Sequence, residues 1–481
     1  MLNLSDPSLL RDTCLVNGEW TKGASPERLQ VSNPATGDIL AEIPRISAEE
    51  TKEVIGYAEA AFKPWAARTA KNRSHILRHW HDLIMQHQDD LALILTSEQG
   101  KPLSEAKGEI AYAASFIEWF AEEAKRIYGD TIPSPNPNQR LTVIRQPIGV
   151  TAAITPWNFP AAMITRKVAP ALAAGCTMIV RPADLTPLTA LALAELAHRA
   201  GVPAGVLQVI TGRSSVVGGV LTASDIVRKL SFTGSTEVGR MLMAQSSPTI
   251  KKLSLELGGN APLIVFDDAD LDKAVEGAIV SKFRNAGQTC VCANRILVQR
   301  GIYEAFAEKL KSRVEAMKVG SGTNPDTAIG PLIEEAALLK VEEHIADAVS
   351  KGGKLITGGK RLGGLYISPA IVGDATSDMM VAHEETFGPL APLFPFDSEE
   401  EAIAMANDTI FGLACYFFTR DHGRAIRVSE ALEYGMVGHN TGLISNEVAP
   451  FGGIKQSGLG REGSKYGIDE YLELKYICSA F

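Results

Sequence analysis

Cysteine is scarce in this sequence, and its spacing serves neither a disulfide framework nor a zinc site. The six cysteines are Cys14, Cys176, Cys290, Cys292, Cys415 and Cys478. They form no CxxC pair and no cluster with histidine at ligand spacing, so no metal is expected. Scarce, unpatterned cysteine suits a reducing compartment, and the expected location is cytoplasmic. Runs of Lys or Arg are also missing. With a net charge of −9, the chain lacks the concentrated basic surface that nucleic acid requires. An anionic ligand would have to be met by individual arginines in a pocket. The opening segment MLNLSDPSLLRD carries Asp6 and no long apolar core, so it does not read as a secretory signal. One stretch, Gln146–Thr165, runs twenty residues without a charge, close to the length of a membrane span. Pro147, Pro156, Pro160, Trp157 and Asn158 interrupt it, which favours a buried strand followed by a loop and excludes a membrane partner. Internal repeats and low-complexity segments are absent too.

What is present is a chain of 481 residues, 45% hydrophobic and 21% charged. That is more than one core accommodates, so two or more lobes are expected. Ser47-Ala-Glu-Glu50 matches a capping box, and Val54, Ala58, Ala61, Phe62 and Trp65 follow at helical spacing. A second helix is read over Ser74–Thr96 and a third over Glu105–Ala124, with Gly129 just beyond. Thr131–Pro137 holds three prolines, which break any helix. With a strand at Leu141–Ile144, this section reads either as an oligomerisation hairpin or as a plain surface loop.

From Gly149 onward strands and helices alternate. Gly149–Ile154, Thr177–Val180, Val206–Ile210 and Leu230–Phe232 read as strands. Between them a helix starts at Thr186-Pro187, with Thr at the cap and Pro in the first turn, and ends at Gly201. This alternation implies a parallel sheet covered on both faces, with sites at the carboxyl ends of its strands. A second α/β section runs from about Gly259 to Arg427, with helices over Leu271–Asn285 and Ile302–Met317. The tail, Tyr471–Ile477, alternates as a strand would and is suited to completing a neighbour's sheet.

Five features bear on chemistry. Phe232-Thr-Gly-Ser-Thr-Glu-Val-Gly239 reads as strand, turn and helix start, which suits a phosphate. Its Gly spacing, however, is not the dinucleotide fingerprint, and taken alone a tight turn with no ligand fits better. Arg181 and Asp184 follow a strand and suit a ribose, or are two solvated charges. Cys290 lies just past a helix; a nucleophile there needs a depressed pKa or a nearby base, whereas cysteine is more often a small buried hydrophobe. Glu256 is a single acid in an apolar run; burial would raise its pKa and suit it as a general base, while strand alternation would turn it outward. Asn158, between Trp157 and Phe159 in a proline-bounded loop, suits an oxyanion donor or a turn residue.

The order of these features resembles a known family. Ile154-Thr-Pro-Trp-Asn-Phe-Pro160, Phe232-Thr-Gly-Ser235, Leu255-Glu-Leu-Gly-Gly259, Gly287-Gln-Thr-Cys290 and Glu384-Glu-Thr-Phe-Gly-Pro389 are similar to the motif set of the aldehyde dehydrogenase superfamily, over essentially the whole chain. Lys282–Asn294 and Pro450–Gly467 look like the succinate-semialdehyde dehydrogenases within it. The resemblance implies an α/β fold with a Rossmann-like parallel-sheet cofactor domain, a second α/β catalytic domain and a small β oligomerisation extension. It sets these at residues 1–128 with 147–256, at 257–440, and at 129–146 with 468–481.

The resemblance also implies roles. Cys290 attacks the aldehyde, Asn158 and the Cys290 N–H hold the oxyanion, and Glu256 activates the water that hydrolyses the thioester. Trp157, Arg181, Asp184, Gly234, Ser235, Leu257, Glu385 and Phe387 match positions that line NAD or NADP, with Glu385 on the nicotinamide ribose. Two departures stand out. The family usually has Lys where this chain has Arg181, and Asp184 occupies a position that is commonly Glu in NAD enzymes. Asp184 favours NAD, and Arg181 leaves NADP open.

Arg166, Arg284 and Ser445 match positions that bind the substrate carboxylate, a task for which guanidinium is well suited. The alternative is that these arginines pair with protein acids. A small anionic semialdehyde is therefore the expected partner. Succinate semialdehyde leads and glutarate semialdehyde is the rival; a catalytically inactive binding protein is the reading from another class. Cys292 is a candidate redox partner for Cys290, provided the loop folds enough to bridge them. A homodimer or homotetramer is implied.

Overall fold

The computed structural model describes residues 2–481. Two hairpins open it, β1 (Cys14–Val16) with β2 (Glu19–Thr21) and β3 (Arg28–Ser32) with β4 (Ile39–Pro44). Four helices follow: α1 (Ala48–Ala66), α2 (Ala70–Gln86), α3 (Gln88–Gln99) and α4 (Leu103–Glu123). The capping box forms as read, with Ser47 and Glu50 each accepting the other's backbone N–H. The helix read over Ser74–Thr96 is in fact two. The chain turns at His87 (φ −104°, ψ 20°), with no Gly or Pro to mark the turn. Helix α3 is buried almost all round, so its apolar positions run on from those of α2 and hide the break.

A third hairpin, β5 (Asp130–Ile132) and β6 (Gln139–Pro147), leads into the alternating part. There the order is β7 (Val150–Ile154), α5 (Ala162–Ala174), β8 (Thr177–Arg181), α6 (Leu188–Arg199), β9 (Leu207–Val209), α7 (Ser214–Ala223), β10 (Val227–Thr233), α8 (Thr236–Ser246) and β11 (Lys252–Glu256). Neighbours β9, β8, β7, β10 and β11 pair in parallel, and separate apolar cores cover the two faces. The start of α6 corrects one reading. Pro187, not Thr186, sits at its cap, and the Thr186 hydroxyl donates to the Trp157 carbonyl at 3.2 Å. Buried Glu98 of α3 instead accepts the N–H groups of Leu188 and Thr189 at 2.7 and 2.8 Å. A cap supplied from ninety residues away leaves no local signal.

The second section holds β12 (Ala261–Val265), α9 (Leu271–Phe283), β13 (Ala293–Gln299), α10 (Tyr303–Glu315), α11 (Glu335–Ser350), β14 (Lys354–Thr357), β15 (Arg361–Gly363), β16 (Tyr366–Ile367), β17 (Ala370–Gly373), α12 (Met380–His383), β18 (Leu390–Phe396), α13 (Glu399–Asn407), β19 (Ala414–Phe418), α14 (His422–Ala431) and β20 (Met436–His439). Its main sheet runs β14-β17-β18-β13-β12-β19-β20 around its own core, with β14 alone antiparallel. The chain crosses between the two sheets at Leu257–Asn260. It returns through β21 (Gly458–Leu459), which pairs with β11 beside Glu256.

After α15 (Ser464–Asp469), β22 (Leu472–Ala480) pairs antiparallel with β6 over nine residues. The tail pairs within its own chain as the edge strand of the sheet β22-β6-β5. The Pro-rich section is a hairpin and not a plain loop. Among the described residues no helix is long and apolar enough to cross a membrane.

Candidate active site

Glu256 ends β11, between Thr233 of β10 and Gly458 of β21. The outward-facing alternative fails, because its side chain is 3% exposed and Oε2 has no hydrogen-bond partner. A Cβ on Gly452, whose φ is +156°, would come within 2.9 Å of Glu256 Oε1, so only glycine lets that loop close over the carboxyl. Burial raises the Glu256 pKa well above the carboxylate range, and the nearby Glu462 carboxylate raises it further against the pull of Arg166, Lys167 and Arg461.

Cys290 lies in the loop between α9 and β13. Three successive left-handed residues, Asn285 (φ 53°), Ala286 (φ 54°) and Gly287 (φ 74°), reverse the chain there. Two of them carry side chains, and such strain persists only where the surroundings impose it. The Glu105 carboxylate accepts the Asn285 N–H at 2.8 Å, and a Cβ on Gly287 would lie 2.2 Å from the Gly388 carbonyl. A Cβ on Gly259 would meet the Cys290 carbonyl at 2.5 Å, so the crossing strand packs directly on the cysteine's backbone. Burial, aided by the Glu385 charge, pushes the Cys290 thiol up to about 12. The resting thiol is therefore neutral, and a reaction must supply it with a base.

Asn158 is buried in the loop after β7. Its Nδ2 donates to the Gln288 carbonyl at 3.0 Å, two residues before Cys290. Trp157, Gly234, Ser235, Leu257, Glu385 and Phe387 line the same cleft as Asn158 and Cys290, about 230 Å³ in volume. Trp157 and Phe387 meet edge to face, 5.6 Å between centroids. Glu385 Oε1 accepts the Gly259 N–H at 3.3 Å, and burial raises its pKa to about 7. Ser235 caps α8. Arg181 and Asp184 stand apart, at the end of β8. There they pair with each other, Arg181 Nη2 also donates to the Gly212 carbonyl at 2.9 Å, and Arg45 Nη2 lies 3.8 Å from Asp184.

The three residues expected to hold a carboxylate divide. Arg166 is 1% exposed, stacks 3.9 Å from the Phe451 ring and pairs through Nε with Glu462 at 2.8 Å. The alternative of a protein acid as partner thus holds as an ion pair, yet neither Nε nor Nη2 of the buried guanidinium donates a hydrogen bond. Arg284 and Ser445 face each other across a narrow space beside Val291 and Tyr416, outside the cleft proper. Tyr112 was not legible in the sequence, where it reads as one more helical position of α4. Its phenol oxygen is buried without a partner, in the combined field of Arg166 and Arg284 and close to Ser445. Lys167 and Glu462 were missed as well; Lys167 donates to Glu462 and, at 2.7 Å, to Thr233 Oγ1. Cys292 is a free, buried thiol that donates to the Lys282 carbonyl at 3.4 Å.

The aldehyde dehydrogenase family profile matches residues 20–477. The chain belongs to the aldehyde dehydrogenase family. It is 65% identical over 477 residues to a glutarate-semialdehyde dehydrogenase of Pseudomonas putida, with 99% of each chain covered. It is 64% identical over 479 residues to the NADP+ succinate-semialdehyde dehydrogenase of Escherichia coli, again with 99% of each covered. Among solved structures, an aldehyde dehydrogenase from Brucella melitensis biovar abortus superposes with a TM-score of 1.00 at 72% identity, covering all of both chains. The expected fold, a Rossmann-like parallel sheet with a second α/β domain, is the one these family members share.

Proposed function

We propose that this aldehyde dehydrogenase oxidises succinate semialdehyde to succinate with NAD+ or NADP+. The observation that carries the substrate is the buried, acceptor-less Nη2 of Arg166, in the same region as Arg284, Tyr112 and Ser445. A guanidinium edge without an acceptor, out of water, is costly unless a ligand acceptor meets it, and a carboxylate is the ligand that suits it best.

The residues present fit the cofactor. Glu385 leaves one carboxylate oxygen for a ribose diol, Trp157, Leu257 and Phe387 give apolar walls, and the start of α8 at Ser235 presents backbone N–H groups. When bound, the nicotinamide supplies the hydride acceptor. Glu256 takes the proton of the Cys290 thiol, and the sulfur bonds to the aldehyde carbon. The Asn158 amide and the Cys290 N–H hold the resulting oxyanion. Loss of hydride from that carbon leaves a thioester on Cys290. Glu256 releases the thiol proton to solvent and, again a carboxylate, removes a proton from water; the hydroxide adds to the thioester carbon, and the sulfur departs as succinate forms. The raised pKa of Glu256 makes it a stronger base than an ordinary carboxylate for both proton transfers.

Glutarate semialdehyde is the second reading, favoured by the name of the Pseudomonas putida relative; one methylene changes binding by only about 1–3 kcal/mol. The deciding experiment follows NAD(P)H absorbance with succinate, glutarate and uncharged aldehydes. A kcat/KM no higher for the semialdehydes than for the uncharged aldehydes overturns the carboxylate assignment, and no turnover on any of them returns the protein to a binding role. The three-stranded β extension, with Leu474, Tyr476 and Phe481 exposed on β22 and just beyond it, is the surface through which two or four copies would assemble.

A further inference from the structure

The turn between α3 and α4, together with the first turns of α4, is built around a buried charge pair that the reaction above does not use. Lys101 and Glu109 are 2% and 4% exposed, and Lys101 Nζ donates to Glu109 Oε2 at 2.6 Å. A second Nζ proton goes to the backbone carbonyl of Asn158 at 2.8 Å. The other Glu109 oxygen accepts the N–H groups of Ala161 and Ala162 at 2.9 and 3.3 Å. The pair therefore grips the Asn158 loop on both sides of Phe159, whose ring lies 3.9 Å from Nζ. The carbonyl of Asn158 takes one more bond, from Asn285 Nδ2 at 3.0 Å, and Asn285 is the residue whose N–H Glu105 accepts.

One short segment, 101–109, thus fixes both the loop that carries Asn158 and the loop that carries Cys290. Burying an ion pair is weak evidence for stability, because desolvation cancels most of the attraction. Its retention here is better explained by what it orients. We infer that Lys101 and Glu109 are positioning residues: they hold the Asn158 backbone so that its carboxamide faces the oxyanion that forms at Cys290, and they act on the rate through Asn158 alone. This rests on the oxyanion role assigned to Asn158 above. An oxyanion donor must lie within a few tenths of an ångström of the forming charge, and a misplacement of about 1 Å costs on the order of 100-fold.

The test is a double-mutant cycle on the full-length protein. Lys101→Met alone would strand the Glu109 carboxylate, so the variant made is Lys101→Met with Glu109→Gln. It is combined with Asn158→Ala and compared with Lys101→Arg, which keeps the charge but moves the donor. Asn158→Ala is expected to lower kcat roughly 100- to 1000-fold, and the 101/109 pair about 10- to 100-fold. In the Asn158→Ala background the pair is expected to cost less than about twofold. The Kd for NAD+ and the rate of Cys290 alkylation by iodoacetamide stay at parent values. Lys101→Arg gives a smaller loss that likewise disappears in the Asn158→Ala background. An equal loss in both backgrounds, or no loss from the pair, overturns the inference. No loss from Asn158→Ala overturns the oxyanion assignment beneath it.

Discussion

Replacing Arg284 by methionine separates recognition of a carboxylate from recognition of an aldehyde. Arg284 is half-buried, its guanidinium stacked 5.3 Å from the Phe159 ring and facing Ser445 and Tyr416. Arg166 is already committed on one edge to Glu462. The carboxylate near Arg284, Glu105, spends one oxygen on the Asn285 N–H. Arg284 is thus the arginine with more to give a substrate. A hydrogen bond to a charged group is worth about 1.5–3 kcal/mol, or roughly 10- to 150-fold in kcat/KM. Partial exposure screens the charge, so the lower part of that range applies, about 10- to 40-fold. Methionine keeps most of the stem's apolar packing. Initial rates of NAD(P)H formation are compared for succinate semialdehyde and for butanal, which has the same carbon count and no charge. The expected loss is about 10- to 40-fold for the first and under about threefold for the second. Equal losses on both would refute carboxylate recognition by this residue and point to a role in shaping the loop.

Glu256→Gln should lose both the first-turnover burst of NAD(P)H and roughly 100-fold or more in steady-state kcat; a mixing experiment that shows a full burst at the parent's rate removes Glu256 as the base for Cys290. Because the Glu256 pKa is raised, the parent's steady-state rate should climb with pH above the range where an ordinary carboxyl ionises, and a flat profile contradicts the assignment. Asp184→Ser should raise the ratio of kcat/KM for NADP+ over NAD+ about tenfold, since it frees Arg181 and Arg45 for a 2′-phosphate; an unchanged ratio places the 2′ group elsewhere. Tyr476→Lys on exposed β22 should shift the protein toward smaller species in sedimentation, and an unaltered distribution moves the assembly surface off this strand.

Much of the fold is written locally. The capping box at Ser47, the βαβ alternation after Gly149 and the alternating tail are legible because each follows from residues within one or two turns of one another. The motif order placed Cys290, Glu256, Asn158 and the cofactor-lining residues in one family, and the cleft gathers most of them. The break at His87 was not legible, because an all-round buried α3 has no polar face to mark it. Nor was the cap of α6, whose acceptor comes from Glu98 far along the chain. The sequence alone determined that the chain is an α/β protein of this family with a cysteine and a carboxyl in fixed order. Only the tertiary structure decided that Glu256 is buried with an unpartnered oxygen and that Arg166 shares itself with Glu462. It alone shows that Lys101 reaches the carbonyl of Asn158. Burial and long-range pairing set a charge's cost and its direction, and neither exists until the two sheets and their connecting loops have come together.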